Sequence, residues 1–212
     1  DVANSVVATK DGEFVMLGHS NSNGSGDKSE GGRGDYDFWS VKFDANGNKV
    51  WDKRFGNNDI DAGHRIVSAQ DGGFLLAGSS NSSAGGDKSE STRGGMDFWI
   101  IKIDSNGAKQ WDKSIGGSQN ENFRSAVSLA DGGFLLAGSS DSVVSGEKTQ
   151  GTQGGEDFWV VKIDANGTVA WDKTLGGTAS DRARALAVTA DGNYLVAGFS
   201  ESGQGGDKTE VS

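Results

Sequence analysis

Apolar and polar positions alternate in short runs, and one stretch of the chain shows the whole pattern. Residues 65–69 hold Ile66 and Val67 and predict strand A; Asp71-Gly72 then predicts a tight turn. Phe74-Leu75-Leu76-Ala77-Gly78 predicts strand B, apolar on both faces. Residues 98–103 predict strand C, with Phe98 and Ile100 on one side and Trp99, Ile101 and Ile103 on the other. After Asn106-Gly107, residues 110–115 predict strand D, with Trp111 and Ile115 opposite Gln110, Asp112 and Ser114. Asp-Gly and Asn-Gly between apolar runs predict two-residue type I′ hairpins, whose central residues both need positive φ.

The same pattern recurs at a spacing of 60 without insertion or deletion. Asp37-Phe38-Trp39 returns at 97 and 157, Trp51-Asp52-Lys53 at 111 and 171, and Asp11-Gly12 at 71, 131 and 191. The units are residues 1–61, 62–121, 122–181 and the half unit 182–212, about three and a half copies in a single repeat domain. A four-stranded sheet that is apolar on both faces in its middle and half polar at strand D must pack between copies of itself. That predicts an all-β fold: a β-propeller of four-stranded antiparallel blades, with a stacked β-solenoid as the alternative. Propellers close with about four to eight blades, so the chain is expected to be part of a larger one. Trp39, Trp51, Trp99, Trp111, Trp159 and Trp171 are expected to be structural blade residues.

Composition narrows the chemistry. The absence of cysteine excludes disulfides and thiolate metal sites. A formal charge of −10 disfavours nucleic-acid binding, and no apolar run is long enough for a membrane helix. Thirty-five glycines and no proline fit a chain of turns and loops, while six tryptophans argue against disorder.

The phrases Val161-Lys162-Ile163-Asp164-Ala165-Asn166-Gly167, Trp171-Asp172-Lys173-Thr174-Leu175-Gly176-Gly177 and Thr189-Ala190-Asp191-Gly192-Asn193-Tyr194-Leu195-Val196-Ala197-Gly198 resemble the 60-residue repeats of secreted Bacteroidetes surface proteins, similar to delta-60 propeller repeats. The resemblance implies a propeller exported to the cell exterior, often by type IX secretion, and brings no catalytic residues. Asp44-x-x-Gly47-x-x-x-Trp51 and its copies resemble the tryptophan-docking pattern of quinoprotein propellers, which implies that a strand-D tryptophan stacks on the neighbouring blade. No quinone cofactor is implied.

Loops 20–36, 80–96 and 140–156 are each 17 residues long and join strands B and C. Loops of that length are commonly functional, so a binding site is expected on the face formed by the B–C and D–A connections. Each carries a Gly-Asp-Lys-Ser-Glu element or a variant of it. Asp27, Glu30, Asp87 and Glu90 are candidate calcium ligands, because hard oxygen donors in glycine loops suit that ion. The competing expectation is a fold lock in which Lys28, Lys88 and Lys148 pair with Asp37, Asp97 and Asp157.

Residues shared by all copies are most economically structural, so ligand recognition is expected from positions that differ. These are Asn58, Asp59, His64, Asn120, Phe123, Arg124, Arg182 and Arg184, with Tyr36, Met96 and Glu156 at one equivalent position before strand C. His19 and His64, the two histidines, are expected on the surface with no reason to meet. The chain is thus expected to be a non-enzymatic scaffold or adhesive module of a secreted or cell-surface protein. Glycans or cell-surface polymers are the expected partners. The alternatives are a catalytic propeller, quinoprotein-like or carbohydrate-active, and a purely structural spacer.

Overall fold

A computed structural model describes residues 1–210. The described residues form fourteen β-strands and no helix. The first repeat holds β1 (Val2–Ala8), β2 (Phe14–Ser20), β3 (Asp37–Phe43) and β4 (Lys49–Phe55). The second holds β5 (Asp61–Ser68), β6 (Phe74–Ser80), β7 (Asp97–Ile103) and β8 (Lys109–Ile115). The third holds β9 (Glu121–Ser128), β10 (Phe134–Ser140), β11 (Asp157–Ile163) and β12 (Val169–Leu175), and the fourth β13 (Asp181–Val188) and β14 (Tyr194–Ser200). Each full repeat is one antiparallel sheet with its strands in chain order, and β13–β14 is a two-stranded sheet.

Two compact units result: residues 1–92 with 98–114, and residues 93–97 with 115 onward. In the first, β5 packs against β1, β2 and β3; in the second, β13 packs against β9, β10 and β11. The same hydrogen bond marks both junctions. Ile66 N donates to Ser5 Oγ at 3.3 Å, and Leu186 N donates to Ser125 Oγ at 3.3 Å. One core gathers Val15, Leu17, Phe38 and Phe55 with Ile66, Leu76, Trp99 and Ile101; the other gathers Leu135, Ala137, Val160 and Ala183. These are the positions whose period-2 alternation marked the sheet faces.

The hairpins differ from the two-residue type I′ expectation. Ala69 N donates to Gly73 O at 2.9 Å and Gly72 N to Ala69 O at 3.2 Å. Of the two central residues, Asp71 keeps negative φ and only Gly72 is positive, at 85°. The connection is therefore a longer loop built on a type I turn and closed by a left-handed glycine, which needs one residue of special conformation instead of two.

Strand A is also longer than expected. It starts at Asp61 and contains a bulge: Gly63 pairs with Gly78 and Arg65 with Ala77, leaving His64 as the extra residue. Every copy does this, with Asn4, Arg124 and Arg184 as the extra residues of β1, β9 and β13. The glycine opposite explains itself locally, because a Cβ on Gly78 would lie 2.0 Å from the Ala62 carbonyl oxygen.

Candidate functional site

Repeat-invariant polar residues are absorbed by the fold. Asp112, almost fully buried, accepts hydrogen bonds from Ser89 N at 2.9 Å, Trp99 Nε1 at 3.0 Å and Lys109 Nζ at 2.8 Å. Asp52 repeats this with Ser29 N, Trp39 Nε1 and Lys49. In the third repeat Val169 stands where the other two have Lys49 and Lys109, and Thr149 Oγ1 takes over, donating to Asp172 Oδ1 at 2.5 Å. These contacts tie the B–C loop and the strand-C tryptophan to strand D.

The loop lysines are buried, as a lock requires, and the direct partners of Lys28 and Lys148 are hydroxyls and a carbonyl instead of the expected aspartates. Lys28 Nζ donates to Ser20 Oγ and Ser22 O, both at 2.7 Å. Lys148 Nζ donates to Thr174 Oγ1 at 2.6 Å. Burial lowers the pKa of both ammonium groups, while Asp37 acting on Lys28 and Glu121 on Lys148 oppose that shift through space. Of the four candidate calcium ligands, three carboxylates are engaged by protein cations. Glu30 faces Arg54 at 3.1 Å, Asp87 faces Arg33 at 2.7 Å and Arg54 at 3.4 Å, and Glu90 faces Lys113 at 3.0 Å. Asp27 contributes its backbone carbonyl to Lys49. Among the described residues no three His, Cys, Asp or Glu side chains are grouped for a metal ion.

The strand-D tryptophans differ in their surroundings. Trp51 packs against the core, and the Gly107 turn lies so close that an added Cβ would sit 3.4 Å from the indole Cδ2. In the second unit the Trp171 ring lies 6.0 Å from that of Tyr194. Trp111 is half-buried on β8.

The positions that differ between repeats behave otherwise. Several converge at the bulges, where the pleat is broken and a side chain is re-aimed. In the first unit, Asn4 Nδ2 donates to Gly63 O at 2.7 Å and lies 3.3 Å from His19 Nδ1. The His19 ring stands edge-on to Tyr36 at 5.2 Å and to His64 at 6.3 Å. The two histidines therefore meet, which no feature of the sequence required.

In the second unit, Glu156 Oε1 accepts from Asn122 Nδ2 at 2.8 Å and Ser139 Oγ at 2.9 Å, and Oε2 accepts from Arg182 Nε. Burial raises the Glu156 carboxyl pKa, but Arg182 and the two neutral donors outweigh it and hold it below the ordinary value. Arg182 and Arg184 lie 5.7 Å and 5.1 Å from the Phe199 ring. Arg124 is held below the ordinary arginine value by burial and then by repulsion from Arg184.

Other expected site residues go elsewhere. Phe123 is fully buried, so it is a core residue and is not available to a ligand; it stands at the position equivalent to Gly63 of the second repeat. Asn120 is spent on the backbone amide of Met96 and on Asp141. Asp59 gives backbone contacts to Asp35 and Ser82, and Asn58 is exposed in the connection before β5. Asn4, Asn122, Ser139 and Phe199 were not singled out in the sequence. Reading positions 4, 64, 124 and 184 as one column, Asn, His, Arg, Arg, is the signal that finds the first of them. A separate groove of about 520 Å³ lies at the turn end of β1 and β5, lined by small residues such as Ala8, Thr9, Ser68 and Ala69, away from these clusters.

No protein-family model matches the chain. A curated protein, "Regulatory protein FlaEY" of Caulobacter vibrioides, is 24% identical over 185 residues, which is 81% of this chain. The chain spans only 19% of that protein's length. A crystal structure of a protein of unknown function from Bacteroides caccae aligns over 85% of each chain at a TM-score of 0.34 and 15% identity.

Proposed function

We propose that the chain is a non-enzymatic repeat module that presents a ligand-binding surface on a rigid β scaffold, part of a secreted or cell-surface protein. Glycans or cell-surface polymers are its proposed partners. The observation that carries the reading is the bulge column. All four A strands break register at one equivalent position, and that position differs in side chain while the supporting Asp, Trp and Lys contacts repeat. A scaffold that holds its frame constant and varies its re-aimed side chains is built for recognition.

The same reading favours a propeller over a solenoid for the overall arrangement. The repeats are antiparallel sheets whose A strands meet through the same amide-to-serine hydrogen bond at each junction within a unit, as blades meet near a propeller axis.

The test is a glycan array with surface-polymer binding, read on the intact chain. Binding that falls at least tenfold in a His64→Ala, Arg124→Ala double variant of unchanged melting temperature is the expected result. Absence of binding, or binding indifferent to those substitutions, sinks the proposal.

A further inference from the structure

The two clusters differ in charge, and the second is unusual for so acidic a chain. Arg124 on β9 and Arg182 and Arg184 on β13 lie on two strands that pack together, joined by the Leu186 N to Ser125 Oγ bond beside Arg124, in a molecule of net charge −10. Glu156 is the carboxylate among them, and its two oxygens are already engaged by Asn122, Ser139 and Arg182. Arg182 also has Glu201 at 3.9 Å. Among the described residues, no carboxylate lies within ion-pair distance of Arg124 or Arg184. Arg124 bonds its neighbour's carbonyl, Phe123 O, at 3.4 Å, and Arg184 lies over the Phe199 ring. Both are bulge residues, so backbone geometry and not side-chain flexibility presents them.

A guanidinium offers five donors in a planar fork that suits an oxyanion. Two forks on neighbouring strands, neither with a carboxylate within ion-pair distance, form half of an ion pair. We infer that Arg124 and Arg184 form an oxyanion-recognition site for the carboxylate or sulfate group of an acidic sugar, with Phe199 as an apolar platform beneath Arg184. This rests on the proposed ligand-binding reading and names its ligand class. The first unit, with Asn4 and His64 at the same positions, lacks the charge and is not part of the site.

The experiment is calorimetric titration of the intact chain with sodium sulfate and, separately, with sodium glucuronate, at ionic strength held constant with sodium chloride. Saturable binding of at least one probe is expected. It should weaken about tenfold or more in Arg124→Gln and in Arg184→Gln, the loss of a charge-assisted hydrogen bond, and stay unchanged in Arg65→Gln. Preference for sulfate or for glucuronate identifies which acidic group the site takes. Without ligand, Arg124→Gln is expected to melt at or above the parent temperature, because it removes like-charge repulsion; a lower melting temperature assigns Arg124 a structural role and overturns the inference. So does the absence of saturable binding of either probe, or equal binding by the variants. Glycan-array binding to neutral sugars with no response to either anion would sink this inference and leave the ligand-binding reading standing. Anion binding lost in the variants, with no polymer captured, would uphold this site and exclude glycans and cell-surface polymers as the partners.

Discussion

Asp112 and Asp37 are both buried aspartates, yet their surroundings drive them in opposite directions. Burial raises both. At Asp112 the Lys109 ammonium, Ser89 amide and Trp99 indole outweigh it, and the carboxyl sits below its ordinary 3.8. The ionised form is favoured by the fold, so this stabilisation is present above pH 3.8 and is lost as the pH falls through the lower folded value. Asp112→Ala is expected to cost about 3 kcal/mol, since it strands the buried Trp99 indole and removes the carboxylate partner of the Ser89 amide and Lys109 ammonium; chemical denaturation at pH 7 checks it. At Asp37 burial wins over the Arg33 amide, and Asp61 across the junction adds repulsion, so the carboxyl is raised. Its Oδ1 and that of Asp61 are buried without hydrogen-bond partners. The contribution here has the other sign: it is in place below the ordinary value and is lost as pH rises through the raised one. Asp37→Asn is therefore expected to raise the melting temperature at pH 7, with the gain shrinking towards zero as both forms become neutral in acid. A gain that persists undiminished at pH 3 would contradict this account.

At the scale of the element, glycine does two different jobs. Gly72 closes a hairpin at φ 85° with open space around it, so a Cβ there meets nothing. Gly72→Ala is expected to cost about 1 kcal/mol, the backbone strain alone. Gly78 lies inside β6, where a Cβ would stand 2.0 Å from Ala62 O and 2.7 Å from Phe38 Cζ. Gly78→Ala is expected to cost about 3 kcal/mol, because both the bulge and the packing of the preceding sheet must shift. Paired melts of the two variants decide it; equal losses would mean that the bulge is not held by that close approach. The hairpin glycines stand out in the sequence as Asp-Gly and Asn-Gly. The bulge does not, since an extra residue in one strand is defined by its partner strand, and no local pattern of Asp61–Ser68 records that pairing.

At the scale of the molecule, equivalent positions have unequal exposure. Ile66, Phe74 and Leu76 are almost fully buried because the first sheet covers them, while Val6 and Phe14, their counterparts, are 61% and 44% exposed. At the other end Leu195 is 58% exposed where Val15, Leu75 and Leu135 are 0%. These two apolar faces correspond to the two sides of the junction seen between β1–β2 and β5–β6, and exposed apolar faces favour association with a matching surface. Concentration-dependent association is expected in sedimentation, and Leu195→Lys is expected to weaken it by at least tenfold. A monomer at all concentrations, for parent and variant alike, would exclude such pairing.

Strand periodicity, turn residues and the 60-residue register are properties of neighbours along the chain, so the all-β character, the strand count per repeat and the tryptophan and aspartate framework were legible before any coordinates. The distinction between recurring and varying positions also pointed to His64, Arg124, Arg182 and Arg184. Tertiary structure decided what depends on contacts across strands: that Phe123 is core, that the loop lysines bond hydroxyls, that His19 meets His64, and that His64, Arg124 and Arg184 sit on bulges. The physical reason is common to all four. Hydrogen-bond register, burial and charge proximity are relations between segments tens of residues apart, and residue order alone leaves those distances open.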